Sequence, residues 1–514
     1  MIAQGENTNT VTITKDEYLS LKKENADRKA ESLEQKSQIN ILQQQLANLQ
    51  RMLFGSSSER FTGVDPNQLT LDLGEIPQVE QEVATEKITY TRKKSNSTHP
   101  RPPLPEDLPR VEEIISPDED VTGWKKIGEE RTEILEKKPA EFYVRVIVRP
   151  KYLSPDGKRI VIADLPNLPV HRGNVGEGLL TEIVISKWMD HLPIYRQRKI
   201  MARQGVKLAE STINGWISNS LDKKVVLYDA MVKSALAGDY IQVDETTIPV
   251  LTKDKPGSTH KGYFWAGHSP PGKIAFFLYD KSRAAQVPKK LLSDFKGAVQ
   301  CDAYVGYDFL DKPDWSKKVT KLGCFAHARR YFEKSLAGEP ENAKEIMLAI
   351  QKLYQVERIA HNHNFTFDQI KNLRQRFSVR ILDAIEKRLK EHLPEILPKG
   401  NWGTAVQYAL RHWVELCRYT EDGQWNIDNN PIENTIRPIA IGRRNYLFAG
   451  SHEAAQRSAM IYTFMATCKI NNVNPYEWLK WVMVTLPDTK MSEIENLFPA
   501  NFAKSHPEIK PVKS

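Results

Sequence analysis

The stretch Tyr240-Ile-Gln-Val-Asp-Glu-Thr-Thr-Ile-Pro-Val250 reads as a β-strand of β-branched and aromatic residues with a carboxylate, Asp244, in its middle. A buried strand seldom carries an acid there, because desolvating a carboxylate is costly unless a partner or a metal ion compensates it. Asp244 is therefore the candidate first ligand of a site for two hard cations, which take oxygen donors. The same strand-like pattern continues downstream. Further strands are expected at Gly262-Tyr-Phe-Trp-Ala-Gly267 and Ile274-Ala-Phe-Phe-Leu-Tyr279, then a helix near Ala285–Phe295. A fourth strand, Gly297-Ala-Val-Gln-Cys-Asp-Ala-Tyr-Val-Gly306, runs into a second acid, Asp302.

A further short strand and a basic helix, Lys321-Leu-Gly-Cys-Phe-Ala-His-Ala-Arg-Arg-Tyr-Phe332, come next. Three antiparallel strands, a helix and a parallel strand open a ribonuclease-H-like α/β fold. In that fold the first and fourth strands lie side by side, so Asp244 and Asp302 can be neighbours although 58 positions apart. Phosphodiester chemistry at two metal ions requires ligands that hold the ions about 3.5–4 Å apart. Three converging carboxylates suffice, and Glu433, in a later helical stretch, is the third candidate. Spacing alone leaves rivals open among 65 acids. Asn430 as N-cap, Pro431 at the first helical position and Glu433 at the third make a plausible capping box. Asp428 and Glu245 are alternative carboxylates close by.

The chain has 514 residues, enough for three or four domains, with 27% charged residues and a net charge of +8. That mild excess permits nucleic-acid binding without establishing it. No apolar run is long enough for a membrane span, and the N-terminus lacks a basic-then-apolar signal, so a cytoplasmic protein is expected. Four scattered cysteines with no C-x-x-C pair argue against a disulfide framework and against a cysteine zinc cage.

The expected architecture is multidomain α+β. Residues 1–61 hold a helix opened by Thr14 and Glu17, with a short coiled-coil seam (Ile39, Leu42, Leu46, Leu49, Leu53) that ends at Gly55 and suits oligomerisation. Residues 62–110, with Thr91-Arg-Lys-Lys94 and many prolines, read as a linker. Residues 111–165 read as a small β module, most clearly at Glu141-Phe-Tyr-Val-Arg-Val-Ile-Val-Arg149, with Pro155-Asp-Gly157 as a turn. Residues 166–235 are helical. A basic helix with Arg196, Arg198, Lys199 and Arg203 stops at Gly205, and a second helix starts with Ser211 as N-cap, the outline of a helix-turn-helix. Residues 236–335 and 421–470 form the two parts of the ribonuclease-H-like core, 336–420 a helical insertion, and 471–514 a C-terminal helix and tail. Arg437, Arg443 and Arg444 follow Glu433 and could bind phosphates, although Arg437 could equally pair with Glu433 at i,i+4. Cys324 and His327 make only a weak zinc half-site. Trp402, Trp413 and Trp425 suit core packing better than base stacking.

Ordered motifs from about residue 40 to about residue 485 resemble the IS66 family of insertion-sequence transposases: Leu53-Phe-Gly-Ser-Ser-Ser-Glu-Arg-Phe61, Leu192-Pro-Ile-Tyr-Arg-Gln197, Val243-Asp-Glu-Thr246, Cys301-Asp-Ala-Tyr304, Cys324-Phe-Ala-His-Ala-Arg-Arg330, Ile427-Asp-Asn-Asn-Pro-Ile-Glu-Asn-Thr-Ile-Arg-Pro438 and Gly442-Arg-Arg-Asn-Tyr-Leu-Phe-Ala-Gly-Ser451. The resemblance implies a DNA transposase that cleaves element ends and joins the 3′-hydroxyls to target DNA with two Mg²⁺ or Mn²⁺ ions. Its acid triad falls on Asp244, Asp302 and Glu433. It also implies double-stranded DNA as partner, a homodimer or higher oligomer, and accessory proteins of the same element. A catalytically silent end-binding protein or repressor is the alternative. The family's zinc ribbon has lost its cysteines here, at Ser116-Pro-Asp-Glu-Asp120 and Tyr152-Leu-Ser-Pro-Asp156, so no zinc is expected. The module is then expected to hold on apolar packing by Val144, Ile147 and Leu153.

Overall fold

The computed structural model describes residues 166–507 and 509, apart from 171–172, 253–256, 395 and 397–398, together with residues 20, 22–24, 28, 142–145, 147, 151–153 and 160–162. Nearly all of the expected coiled coil and the whole linker lie outside these residues. The chain divides into two compact units, and the smaller covers residues 77–163. Its described part contains a hairpin, β1 (Lys151–Leu153) antiparallel to β2 (Ile160–Ile162). The strand expected over 141–149 is not formed at residues 142–145 and 147, and Val144 is 88% exposed and Ile147 exposed. Those two side chains are therefore not core residues.

The larger unit centres on a five-stranded mixed sheet in the order β5-β4-β3-β6-β7. Its strands are β3 (Tyr240–Leu251), β4 (Thr259–Ser269), β5 (Ile274–Asp280), β6 (Gly297–Gln300) and β7 (Val319–Leu322). β3, β4 and β5 pair antiparallel, whereas β3–β6 and β6–β7 are parallel. The parallel step begins at Gly297, with φ +128° and the Ala298 amide bonded to the Asp239 carbonyl at 2.7 Å. A Cβ at Gly297 would lie 2.1 Å from that carbonyl oxygen, so only glycine lets β6 start so close to β3.

Helices α1 (Glu177–Trp188), α2 (Ile194–Arg203), α3 (Glu210–Asp222) and α4 (Val225–Leu236) precede the sheet. Helices α5 (Gln286–Leu291) and α6 (Pro313–Ser316) are short connections. After β7 come α7 (Phe325–Ser335), α8 (Pro340–Asn362), α9 (Phe367–Leu373), α10 (Val379–His392), α11 (Asn401–Arg411) and α12 (Trp413–Cys417). The chain returns through α13 (Asn430–Tyr446), α14 (His452–Ile470), α15 (Pro475–Thr485) and α16 (Pro499–Ser505). The expected helix–turn–helix outline is present as α2, the left-handed Gly205 (φ +87°) and α3. Its cap is different: α3 starts at Glu210 behind Ala209, which makes no side-chain cap, so Ser211 lies inside the first turn. The helical region shares one core with the sheet, for Leu180 and Ile183 of α1 belong to the same buried cluster as Phe276, Trp478 and Leu479. Helices α7 to α12 build a second core, containing Phe325, Leu353, Trp402 and Trp413.

Edge strand β5 is closed off by α14. Thr463 Oγ1 accepts from the Phe277 amide (2.9 Å), and Thr467 Oγ1 donates to the Ala275 carbonyl (2.9 Å). Hydroxyls thus satisfy backbone groups that would otherwise invite a foreign strand. Among the described residues no helix is long and apolar enough to cross a membrane.

One buried charge leads to a stability prediction. Lys224, 2% exposed, donates from Nζ to the Ser220 carbonyl and hydroxyl, both at 3.0 Å, and burial pulls its ammonium down to about 7. The unfolded chain then binds more protons between about pH 7 and the ordinary lysine value near 10.4, so stability rises with pH across that window. Lys224→Met is expected to stabilise the protein at pH 7 by about 1–3 kcal/mol and to flatten that rise. Thermal melts at pH 7 and 9.5 check it, and a lower melting temperature at pH 7 would refute it.

Candidate active site

Asp244 projects from the middle of β3. The parallel register ends at the pair Gln242 and Gln300, two residues before each acid, and the charge of Asp302 reaches Asp244. The strand stops at Gln300 rather than at the acid, and Asp302 stands in the following turn with Oδ1 accepting from the Tyr304 amide at 3.1 Å. Partial desolvation, then the charges of Asp302 and Glu245, hold the Asp244 carboxyl well above the usual carboxylate range. The Glu245 amide, donating to Asp244 Oδ1 at 2.7 Å, opposes this, and Glu433 adds to it. Two of the expected acids, Asp302 and Glu433, therefore act electrostatically on the third, Asp244.

The rival acids have other partners. Glu245 is held by Arg283, whose Nη2 is 2.5 Å from Oε1, and by the Tyr307 hydroxyl at 3.2 Å. Asp428 accepts from the Tyr354 hydroxyl at 2.7 Å and from the Asn430 amide at 3.0 Å. Asp428 thus does the capping that Asn430 was expected to do. The N-cap position of α13 is Asn429, which makes no side-chain cap bond. The capping box at Asn430 and Glu433 is not formed. Glu433 pairs instead with Arg330 of α7 (Oε2 to Nη2, 2.5 Å), and its Oε1 lies 3.8 Å from His327 Nδ1. That Oε1 is buried without a hydrogen-bond partner.

A buried polar network beneath the acids joins the two strands to the start of α13. Gln300 Oε1 accepts from the Tyr240 hydroxyl (2.7 Å) and from Gln242 Nε2 (2.8 Å). Gln300 Nε2 donates to the carbonyls of Gly323 (2.9 Å) and Asn426 (2.7 Å), and Gln242 Nε2 reaches the Asp428 carbonyl (3.0 Å). Asn429 Nδ2 donates to the Val243 carbonyl at 3.0 Å, and its amide donates to Cys324 Sγ at 3.2 Å. Buried His268, pulled down to about 4 by burial and so neutral, sits 2.8 Å from Gln242 Oε1. Gln242, Gln300, Asn429 and Arg330 were missed in the sequence. A signal existed: Gln242-Val-Asp244 and Gln300-Cys-Asp302 repeat one Gln-x-Asp pattern, and alternate strand residues share a face.

Among the described residues no three His, Cys, Asp or Glu side chains stand close enough to hold a metal ion. The donor chemistry nevertheless fits a hard cation. Asp244 and Glu433 supply acceptor-only oxygens, one of them buried and unpartnered, and the clustered negative charge lacks full compensation.

The basic residues divide into two groups. Arg198 donates to the Leu208 carbonyl (2.8 Å) and lies 3.5 Å from Glu210, and Arg443 Nη1 donates to the carbonyl and hydroxyl of Thr247 on β3. These two are engaged within the protein. Arg196, Arg203, Arg437 and Arg444 are exposed, and Lys199 rests over the ring of Tyr195 at 4.5 Å. Trp402 and Trp413 are buried in the insertion core and Trp425 packs against it.

Residues 172–457 match the family model described as Transposase IS66 family. The chain belongs to the IS66 family of transposases. Two further models of IS66 elements match alongside it: Transposase C of IS166 homeodomain over residues 41–112 and IS66 C-terminal element over residues 463–500. The matched IS66 segment contains all three acids. The chain is also similar to two uncharacterized proteins of Sinorhizobium fredii (strain NBRC 101917 / NGR234). Identity to y4qI is 31%, covering 88% of this chain and 87% of the relative; identity to y4jD is 28%, covering 90% and 94%.

Proposed function

We propose that this IS66 transposase cleaves the ends of its element and joins the freed 3′-hydroxyls to target DNA through a ribonuclease-H-like acid triad, Asp244, Asp302 and Glu433. The observation that carries the reading is that Asp244, two residues past the last β3–β6 pair on β3, feels the charges of Asp302, just past the end of β6, and of Glu433. The strand order, three antiparallel strands followed by two parallel ones, supports the ribonuclease-H-like assignment.

The triad would hold two Mg²⁺ or Mn²⁺ ions, which when bound activate the attacking water or hydroxyl and steady the departing oxygen. The chain's own residues do the rest. Gln242 and Gln300 keep the acid-bearing strands level, and Asn429 ties the start of α13 to β3. Arg330, once Glu433 turns to a cation, presents a guanidinium to a phosphate oxygen. Arg196, Lys199, Arg203, Arg437 and Arg444 meet the phosphates of double-stranded DNA. The N-terminal seam pairs two copies so that two ends are held together, with accessory proteins of the element assisting. Zinc has no part in this reading, and the protein acts in the bacterial cytoplasm.

The Arg330–Glu433 ion pair favours a second reading, a silent end-binding protein in which the third acid stays locked. Cleavage of a duplex carrying the element end decides between them. With Mg²⁺ the wild-type chain is expected to cut, and Glu433→Gln to lose at least about 10²-fold in rate while binding the end normally. A wild-type chain that binds but never cuts would establish the silent reading, and near-normal cutting by Glu433→Gln would remove Glu433 from the triad.

A further inference from the structure

The motif Gly442-Arg-Arg-Asn-Tyr-Leu-Phe-Ala-Gly-Ser451 has a feature that the acid triad does not use. Leu447, just past α13, takes φ +63° and ψ −47°, and the Phe448 amide bonds to the Tyr446 carbonyl at 2.7 Å. This is the strained form of the three-residue γ-turn, at a residue with a full side chain. Strain of this kind persists only where the surroundings enforce it, and it concentrates at binding sites. The surroundings do enforce it. The Leu447 amide bonds back to Arg443 (3.1 Å), the Ala449 amide to Pro249 of β3 (2.8 Å), and the Leu251 amide to Ala449 (2.9 Å). Tyr446 meets Tyr462 hydroxyl to hydroxyl at 2.5 Å, and Gly442 makes room for its ring, since a Cβ there would lie 2.7 Å from it.

This rigid mount turns apolar side chains outward: Leu447 is 62% exposed and Phe448 40%. Single exposed apolar residues are ordinary, but two on a strained and braced turn are not. The setting is cationic. Arg437, Ile441 and Arg444 lie on one exposed stripe of α13, and Arg196 of α2 reaches Asn445 at 3.5 Å. The turn is fastened to the strand that bears Asp244, five residues further on, about 17 Å at strand spacing. A protein partner or a membrane would ask for a broad apolar face, whereas a small apolar point between arginines suits the space between two base pairs with phosphates on either side.

We propose that Leu447 and Phe448 form a wedge that enters the DNA duplex and unstacks one base step within about five base pairs of the cleavage point. The proposal rests on the DNA-cleaving reading above and names what the same site does to its substrate. The test uses the full chain with Asp244→Asn, so that the DNA stays intact, and a duplex carrying the end of its own element with 2-aminopurine placed at successive positions. Binding is expected to raise the fluorescence about threefold at one step, because an unstacked base is no longer quenched. Adding Leu447→Gly and Phe448→Ala removes the rise while anisotropy keeps the affinity within about threefold, since glycine adopts the turn freely and the arginines remain.

With Asp244 restored, the Leu447→Gly/Phe448→Ala chain cuts about tenfold more slowly, and a mismatch at the same step, already weakly stacked, restores the rate. A merely structural defect would not be rescued by the DNA. Unchanged fluorescence at every position, or a rise that survives both substitutions, overturns the wedge. If the rise occurs as expected but the chain carrying Asp244 never cuts, the wedge stands and the cleavage reading falls.

Discussion

Asp244→Asn is expected to abolish end cleavage, by at least about 10³-fold, and to leave end binding within about twofold. The reason lies in the charge balance of the site. Burial first, then the charges of Asp302, Glu245 and Glu433, hold the Asp244 carboxyl well above the usual range. An acid in that state is destabilised in the folded protein until a cation compensates it. Asparagine keeps the shape but is neutral and a weak ligand, so on the proposed mechanism the chemistry is expected to fail while the distant arginines keep their charge for DNA. The same substitution is expected to stabilise the metal-free protein, by about 1 kcal/mol, because it removes a repelled charge. The sign follows from the raised value. The folded state binds the extra proton, so the ionised carboxylate costs stability as pH rises through that folded value, and the neutral variant escapes this loss. Parallel cleavage assays and melts at pH 8 check both halves. Normal cutting would remove Asp244 from the site, and a lowered melting temperature would contradict the electrostatic account.

Gln300→Leu is expected to have the largest effect among residues that carry no charge. It strands the half-buried carbonyls of Gly323 and Asn426 and takes an acceptor from the buried Tyr240 and Gln242. Orphaned buried groups of this kind cost about 3 kcal/mol together, enough to lower the melting temperature by several degrees. A second effect follows well below the melting temperature. Gln300 anchors the segment 426–429 that aims α13, so cleavage falls about tenfold or more while the chain is still folded. Hydrogen exchange at residues 426–430 should accelerate in step. A variant that melts early but cuts normally would limit Gln300 to a role in the fold.

Much of this arrangement is legible in one dimension. Runs rich in β-branched and aromatic residues mark β3, β4 and β5, and helical periods mark α1 and α2, the second stopped by Gly205, because local sterics act over a few residues. Asp244 announces itself as a charge in an apolar strand. The rivals of Glu433 could not be separated in the same way. A capping glutamate and a ligand glutamate look alike at the third position of a helix, and only the distances from Asp428 to Asn430 and from Glu433 to Arg330 tell them apart. The strand expected over 141–149 differs for a related reason: alternation there is a local property, whereas burial of Val144 and Ile147 depends on what packs against them, and both are exposed.

The sequence by itself determined the family and the order of the elements and singled out the candidate acids, since each is written in residue types and short spacings. Tertiary structure alone decided which groups meet. Gln242 and Gln300 lie 58 residues apart, and the β3–β6 register makes them one hydrogen-bonded pair. Arg330 and Glu433 lie 103 apart and close one ion pair. Thr247 and Arg443 lie 196 apart and brace the turn that exposes Leu447. Such contacts depend on how whole elements pack, and no local pattern of residues encodes a distance across the fold.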